Sequence, residues 1–202
     1  MEKDESAQHK ILQAARKVFT TQGMAGARMQ DIADEAGINK ALLHYYFRSK
    51  EQLFEVIFIE EAQKFFPRIN FIFNSDLPLK EKIEVFTDAY LTEMIDNPYL
   101  PWFVVNEMNR DPDGFMERLL GKSGKPSPKR FLEQVETEIR KGKIRKINPV
   151  QLLMNLLSMC IFPFLGRPMF QRNLGMNDKE FFAIMNERRK EIPAFIMASI
   201  AK

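Results

Sequence analysis

The chain has 202 residues, enough for one substantial core or a small domain joined to a larger one, and too few for a large multidomain enzyme. Hydrophobic residues make up 45% and charged residues 28%, a balance that excludes intrinsic disorder and fits a globular protein. The net charge of +3 is unevenly spread: residues 1–66 carry 9 Lys and Arg against 10 Asp and Glu, whereas residues 122–146 carry nine basic and three acidic residues. Composition alone therefore does not mark the N-terminal end as a nucleic-acid binder.

Apolar residues recur at three- and four-residue spacing almost throughout, with no sustained strand-like alternation, so the fold class is all-α. A first helix is predicted from about Ser6 to Thr21, with Ile11, Ala14, Ala15, Val18 and Phe19 on one face and an end near Gly23. A second spans about Met29 to Ala36 and a third about Lys40 to Tyr46. Ser49 is predicted to open a fourth helix through a capping box with Gln52; that helix reaches Phe66 and continues irregularly past Pro67. Further helices are predicted at about 78–96, 98–109, 113–121, 128–142, 148–165 and 178–201, the last kinked at Pro193. Asn97-Pro98, Ser127-Pro128 and Asn148-Pro149 each read as an N-cap followed by proline in the first turn. Gly121 to Pro128 reads as a loop.

Several function classes lose support at this level. The lone cysteine, Cys160, permits neither an intrachain disulfide nor a cysteine zinc cluster, and it reads as core. The polar start Met1-Glu-Lys-Asp-Glu predicts no secretory leader. The most apolar stretch, about 152–165, is interrupted by Asn155, Ser158 and Pro163 and falls short of the roughly 18 residues of a span, so no membrane partner and a cytoplasmic location are expected. Only two histidines, His9 and His44, are present, and G-x-S-x-G, H-E-x-x-H and G-x-G-x-x-G are all missing. No catalytic activity, cofactor or metal is therefore expected. The basic run at 122–146 reads as a solvated face and loop rather than a second nucleic-acid site.

The informative segment is Arg28 to Phe47. Two short helices are joined by Ala36-Gly37-Ile38, where glycine can take the left-handed conformation that ends one helix and turns the chain into the next. Ile32, Ala33, Ile38, Leu43 and Phe47 are spaced to form a small core, and Asn39 can cap the third helix. This is helix-turn-helix spacing. In such a pair the second helix enters the major groove N-terminus first, which brings Lys40, Ala41 and Leu42, and Tyr45 one turn on, toward base edges. Between Ala36 and Lys50 stand three basic residues and no acidic one. That local charge outweighs the domain average, because screening limits phosphate attraction to roughly 8–10 Å. His44, Tyr45 and Tyr46 add phosphate donors, and Lys50 lies in the first turn of the fourth helix.

The motifs Ile32-Ala33, Ala36-Gly37-Ile38-Asn39-Lys40, Leu43-His44-Tyr45-Tyr46-Phe47 and Ser49-Lys50-Glu51 together resemble the DNA-binding domain of the TetR family of bacterial regulators. The resemblance covers about residues 6–66, roughly a third of the chain. It implies a DNA-binding set of Arg28, Met29, Asn39, Lys40, Ala41, Leu42, His44, Tyr45, Tyr46 and Lys50, the first turn of the third helix meeting bases and His44, Tyr46 and Lys50 meeting the backbone. Departures are that the family often has threonine where Arg28 stands, and tyrosine and histidine where His44 and Tyr46 stand.

For residues 67–202 the resemblance implies a helical domain that binds a small effector and dimerises through the last two long helices, here about 149–164 and 178–201. Eighteen phenylalanines and twelve methionines fit an adaptable apolar interior, in which Phe86, Tyr90, Trp102, Phe103, Asn106, Glu107 and Met108 are candidate lining residues for a hydrophobic effector; the same residues also read as plain core. The resulting expectation is a homodimeric transcriptional regulator, a repressor by family habit, that binds a palindromic DNA operator. The rival expectation is a helix-turn-helix used as an architectural or protein-interaction module without an effector.

Overall fold

The computed structural model describes residues 2–120 and 127–202, and every regular element among them is helical. The elements are α1 (Glu2–Gly26), α2 (Met29–Ala36), α3 (Lys40–Tyr46), α4 (Lys50–Asn74), α5 (Leu79–Asp96), α6 (Leu100–Arg110), α7 (Pro112–Leu120), α8 (Lys129–Arg140), α9 (Pro149–Leu165), α10 (Arg167–Leu174) and α11 (Asp178–Ile200). The chain divides into two compact units, one of Met1–Gln63 with Trp102–Leu119 and one of Lys64–Pro101 with Leu120–Lys202.

In the first unit α1 breaks its helical geometry at Gly23, whose φ of 70° is accessible to glycine without steric cost. This is where the sequence predicts the helix to end. Ile11, Ala15, Ile32, Ala33, Leu43 and Leu53 are fully buried together with Phe19. Their burial is the main force holding the short α2 and α3 in place, because helices of eight and seven residues are too short to persist alone. Phe19, Phe54, Phe58, Phe103 and Phe115 form a chain of ring contacts with centroids 4.2 to 5.9 Å apart. These contacts seat α6 and α7 in the same unit as the N-terminal helices, so the unit extends beyond the contiguous segment that local spacing picks out. Arg16 of α1 forms an ion pair with Glu61 of α4, whose side chain is almost wholly buried.

The second unit is built on α5, α9 and α11, whose inner faces carry Ile83, Phe86, Leu91, Leu156, Phe181 and Ile196, all nearly or fully buried. Arg189 of α11 donates to Asp88 Oδ1 at 2.6 Å and Thr92 Oγ1 at 2.7 Å on α5, fixing the register between the two helices. Lys82 is buried and donates to Phe73 O and Ser75 O at 3.2 and 2.8 Å, satisfying carbonyls that the end of α4 leaves open. Desolvation holds its ammonium below the ordinary lysine range, with Arg130 acting in the same direction.

Four local expectations need revision. Asn97 closes α5, its N–H bonding to Glu93 O and its side chain donating to Glu93 Oε1, and α6 begins only at Leu100. The Ser49 hydroxyl accepts from Gln52 N–H at 3.2 Å as predicted, but Gln52 Oε1 reaches back to the N–H of Arg48, one residue short of the expected partner. Helix α10 was not predicted: Pro168 sits in its first turn and Gly175 ends it in a left-handed conformation, signals that the apolar-spacing criterion passes over because α10 buries no residue. The start of α8 lies one residue later than expected, with Pro128 in place of Ser127 as its N-cap and Lys129 as its first residue. Asn148, by contrast, caps α9 as predicted, accepting from Val150 N–H at 2.9 Å. The loop predicted from Gly121 lies mostly outside the described residues.

Candidate nucleic-acid interface

The site is assembled by two caps. Gly37 takes the left-handed conformation (φ 66°, ψ 32°) and its N–H bonds to Ala33 O and Asp34 O, while Ile38 N–H bonds to Ala33 O at 3.0 Å. This closes α2 and redirects the chain. Two residues later Asn39 starts α3 by accepting the Leu42 N–H at 2.7 Å, leaving its own Nδ2 hydrogens available to an outside acceptor.

With those caps fixed, α3 has two sides. Leu43 is fully buried and Phe47 nearly so, while Lys40, Ala41, Leu42, His44 and Tyr45 are exposed, Tyr45 to 77%. A tyrosine exposed to that degree is not a core residue. Tyr46 is half-buried and meets the Tyr45 ring edge-on at 5.3 Å. The side of α3 turned to solvent thus carries an ammonium, an imidazole, a phenol and two small or apolar groups. Such a set can read base edges, thymine methyl groups and phosphates.

Around α3, Arg28 is exposed at the N-cap of α2 in an extended conformation, and α2 has no side-chain cap. Its first-turn N–H groups are therefore open to an anion. Met29 is half-buried in the first turn of α2. Arg48, read from the sequence only as local charge, is also exposed, and its guanidinium makes no ion pair or side-chain hydrogen bond among the described residues. The signal that singles it out is its place directly before α4. Lys50 lies in the first turn of α4 as expected; it is half-buried and donates to Met24 O at 2.8 Å and Ala27 O at 3.2 Å.

The residues put forward for effector binding fall in both units. Phe86 and Tyr90 lie in the second, where they pack on Phe73 and Phe65 respectively. Burial pushes the Tyr90 phenol far above its ordinary range, so it is neutral at any physiological pH. Trp102, Phe103, Asn106 and Glu107 lie in the first unit; Trp102 is 46% exposed, Asn106 and Met108 are exposed, and Glu107 pairs with Arg110 at 2.6 Å. Among the described residues, no three His, Cys, Asp or Glu side chains converge as metal ligands. No single described helix is long and apolar enough to cross a membrane, and α9 with α10, which reach that threshold only together, are bent by 66°.

Four of the nine basic residues in the run seen in the sequence stand beside carboxylates. Lys129 faces Glu133, Arg140 faces Glu136, Lys143 faces Glu138, and Arg130 pairs with Asp76. Exposed pairs of this kind contribute little stability.

An α2–turn–α3 unit seated on α1 and α4 defines a helix-turn-helix protein. Residues 11–57 match the model of bacterial regulatory proteins, tetR family. The HTH-type transcriptional repressor NicS of Pseudomonas putida is 48% identical over 44 residues, which is 22% of this chain and 21% of that protein. The HTH-type transcriptional repressor KstR2 of Mycolicibacterium smegmatis is 32% identical over 78 residues, 39% of this chain and 38% of that protein. The chain thus spans well under half the length of these two relatives. A crystal structure of a transcriptional regulator of the TetR/AcrR family from Thermobifida fusca superimposes with a TM-score of 0.60 at 17% identity, over 94% of this chain and 96% of that one, and establishes likeness of fold along nearly the whole chain. Residues 11–57 are thus similar to the DNA-binding region of bacterial regulatory proteins of the tetR family.

Proposed function

We propose that this protein is a DNA-binding transcriptional repressor that acts as a homodimer on a palindromic operator and is released by a small hydrophobic effector. The observation that carries the DNA half is the solvent side of α3, where Lys40, Ala41, Leu42, His44 and Tyr45 stand exposed on a helix whose opposite side is buried. Arg28, Met29, Asn39, Arg48 and Tyr46 surround it as phosphate-facing or positioning groups. Repression is supported by the likeness of the N-terminal segment to NicS and KstR2, both transcriptional repressors.

Dimerisation is supported by large apolar side chains left in solvent on the last helices: Val150, Met154 and Phe162 of α9, and Ile184 and Phe195 of α11, exposed between 38% and 62%. An open groove of about 420 Å³, lined by Met159, Ile184, Ile192 and Phe195 with Glu187, Arg188 and Glu191, lies along the same two helices. An apolar face of this kind favours a two-fold partner that presents the same face. The effector half rests on the family and on the apolar residues Phe86, Tyr90, Trp102 and Phe103, with Asn106 and Glu107 as polar groups. An effector acts here by binding the DNA-incompetent arrangement more tightly than the competent one.

The deciding experiment is a gel-shift titration, at two salt concentrations, of an inverted repeat from the DNA flanking the gene against random duplex. A specific regulator binds the repeat at least about a thousandfold more tightly. Equal affinity for both duplexes identifies a sequence-neutral architectural protein and refutes the reading.

A further inference from the structure

We infer that Lys50 is a positioning residue that staples the α1–α2 connection to α4, and not a phosphate ligand. The inference rests on the DNA-binding reading above and changes the work assigned to one of its residues. Helix α1 ends with no basic residue in its last turn, so nothing of its own offsets the partial negative charge of its final carbonyls. Lys50 supplies that charge from another helix. Its ammonium donates to Met24 O and to Ala27 O, at the end of α1 and in the linker to α2, and its stem is half-buried.

The placement also resolves an electrostatic oddity, since a lysine in the first turn of α4 opposes that helix's own dipole. Turned back onto α1, the charge meets carbonyl oxygens in place of the N–H groups of α4. Both carbonyls follow the break at Gly23 and lead directly into Arg28 and α2. Lys50 therefore sets the direction in which α2 leaves α1, and with it the pose of α3. Phosphate attraction is left to Arg28, Lys40 and Arg48, which are exposed and make no ion pair among the described residues.

The test compares Lys50→Met with Arg48→Met in full-length protein, using the operator titration over a range of salt and hydrogen exchange of the free protein. A lost phosphate contact reduces the slope of log affinity against log salt by about 0.9. For Lys50→Met the expected result is a roughly tenfold loss of operator affinity with an unchanged slope, and faster exchange of amides in residues 24–32, where the Ala27 and Ile32 N–H groups are bonded. Arg48→Met is expected to lower the slope and leave that exchange native. A lowered slope with native exchange in Lys50→Met overturns the inference, as does native behaviour in both measurements. Wild-type protein that fails to prefer the operator refutes the DNA-binding reading instead, and the exchange arm still decides whether Lys50 holds the connection.

Discussion

Lys40 stands exposed in the first turn of α3, and its ammonium makes no ion pair or side-chain hydrogen bond among the described residues. A base-reading group in that position is worth about 1–3 kcal/mol of specific affinity. Lys40→Ala is therefore expected to weaken binding to the operator by about tenfold or more and to relax the preference at one base pair. Retention of wild-type affinity and preference in a gel-shift titration would remove Lys40 from the interface. A different residue contributes to the loss of stability at alkaline pH. Burial pushes the Cys160 thiol up to about 12, against the opposing influence of Arg188 and Thr87. The folded state thus keeps a proton that the unfolded chain releases near pH 9, so stability is full below that pH and is lost as pH rises toward 12. The decline in Tm across this window is expected to be shallower in Cys160→Ala, as scanning calorimetry would show; parallel declines in both proteins would contradict the assignment.

Among the elements, α2 and α10 make a controlled comparison possible. Gly37 and Gly175 both hold φ at 66° at the end of a helix, and a Cβ built on either meets nothing within 4 Å. Alanine at either position therefore pays only for the left-handed backbone, about 1 kcal/mol. Denaturant unfolding should report the same modest loss for Gly37→Ala and Gly175→Ala. Operator binding should fall in Gly37→Ala alone, because only that turn sets α3 against α2. Equal loss of binding in both variants would mean that global stability, and not the pose of α3, limits recognition. Helix α11 itself is secured by a complete capping box, Asn177 accepting from Glu180 N–H and Glu180 accepting from Asn177 N–H. Its first residue, Asp178, is held to Gln171 and Arg167 of α10, whose hydrogen bonds keep that carboxyl below its usual range.

For the whole molecule, the proposed dimer places a sharp demand on α9 and α11. Phe195 is 62% exposed and lines the same open groove as Met159 and Ile184. Phe195→Asp buries a charge in any symmetric interface formed there, twice over by the two-fold, at a cost of several kcal/mol. Light scattering should find wild-type protein at twice the monomer mass of 23.7 kDa and the variant at the monomer mass. A two-fold operator should then bind the variant weakly. A variant that stays dimeric would move the interface elsewhere.

Sequence by itself determined the elements whose signals are local. Gly37, Asn39 and the spacing of Ile32, Ala33, Leu43 and Phe47 fixed the helix-turn-helix, because helix period, a left-handed turn and an N-cap each act over fewer than about five residues. The exposed set of Lys40, Ala41, Leu42, His44 and Tyr45 followed from the same periodicity. Only the tertiary structure decided matters that depend on distant chain segments. It decided that α6 and α7 pack with the N-terminal helices through Phe103 and Phe115. It also decided which four of the nine basic residues in 122–146 stand beside carboxylates. The largest change concerns Lys50, whose charge and place in α4 were plain from the start. Which acceptor its ammonium meets was not, because Met24 and Ala27 lie more than twenty residues away in the chain and come within 3.2 Å only once α1 and α4 are folded against each other.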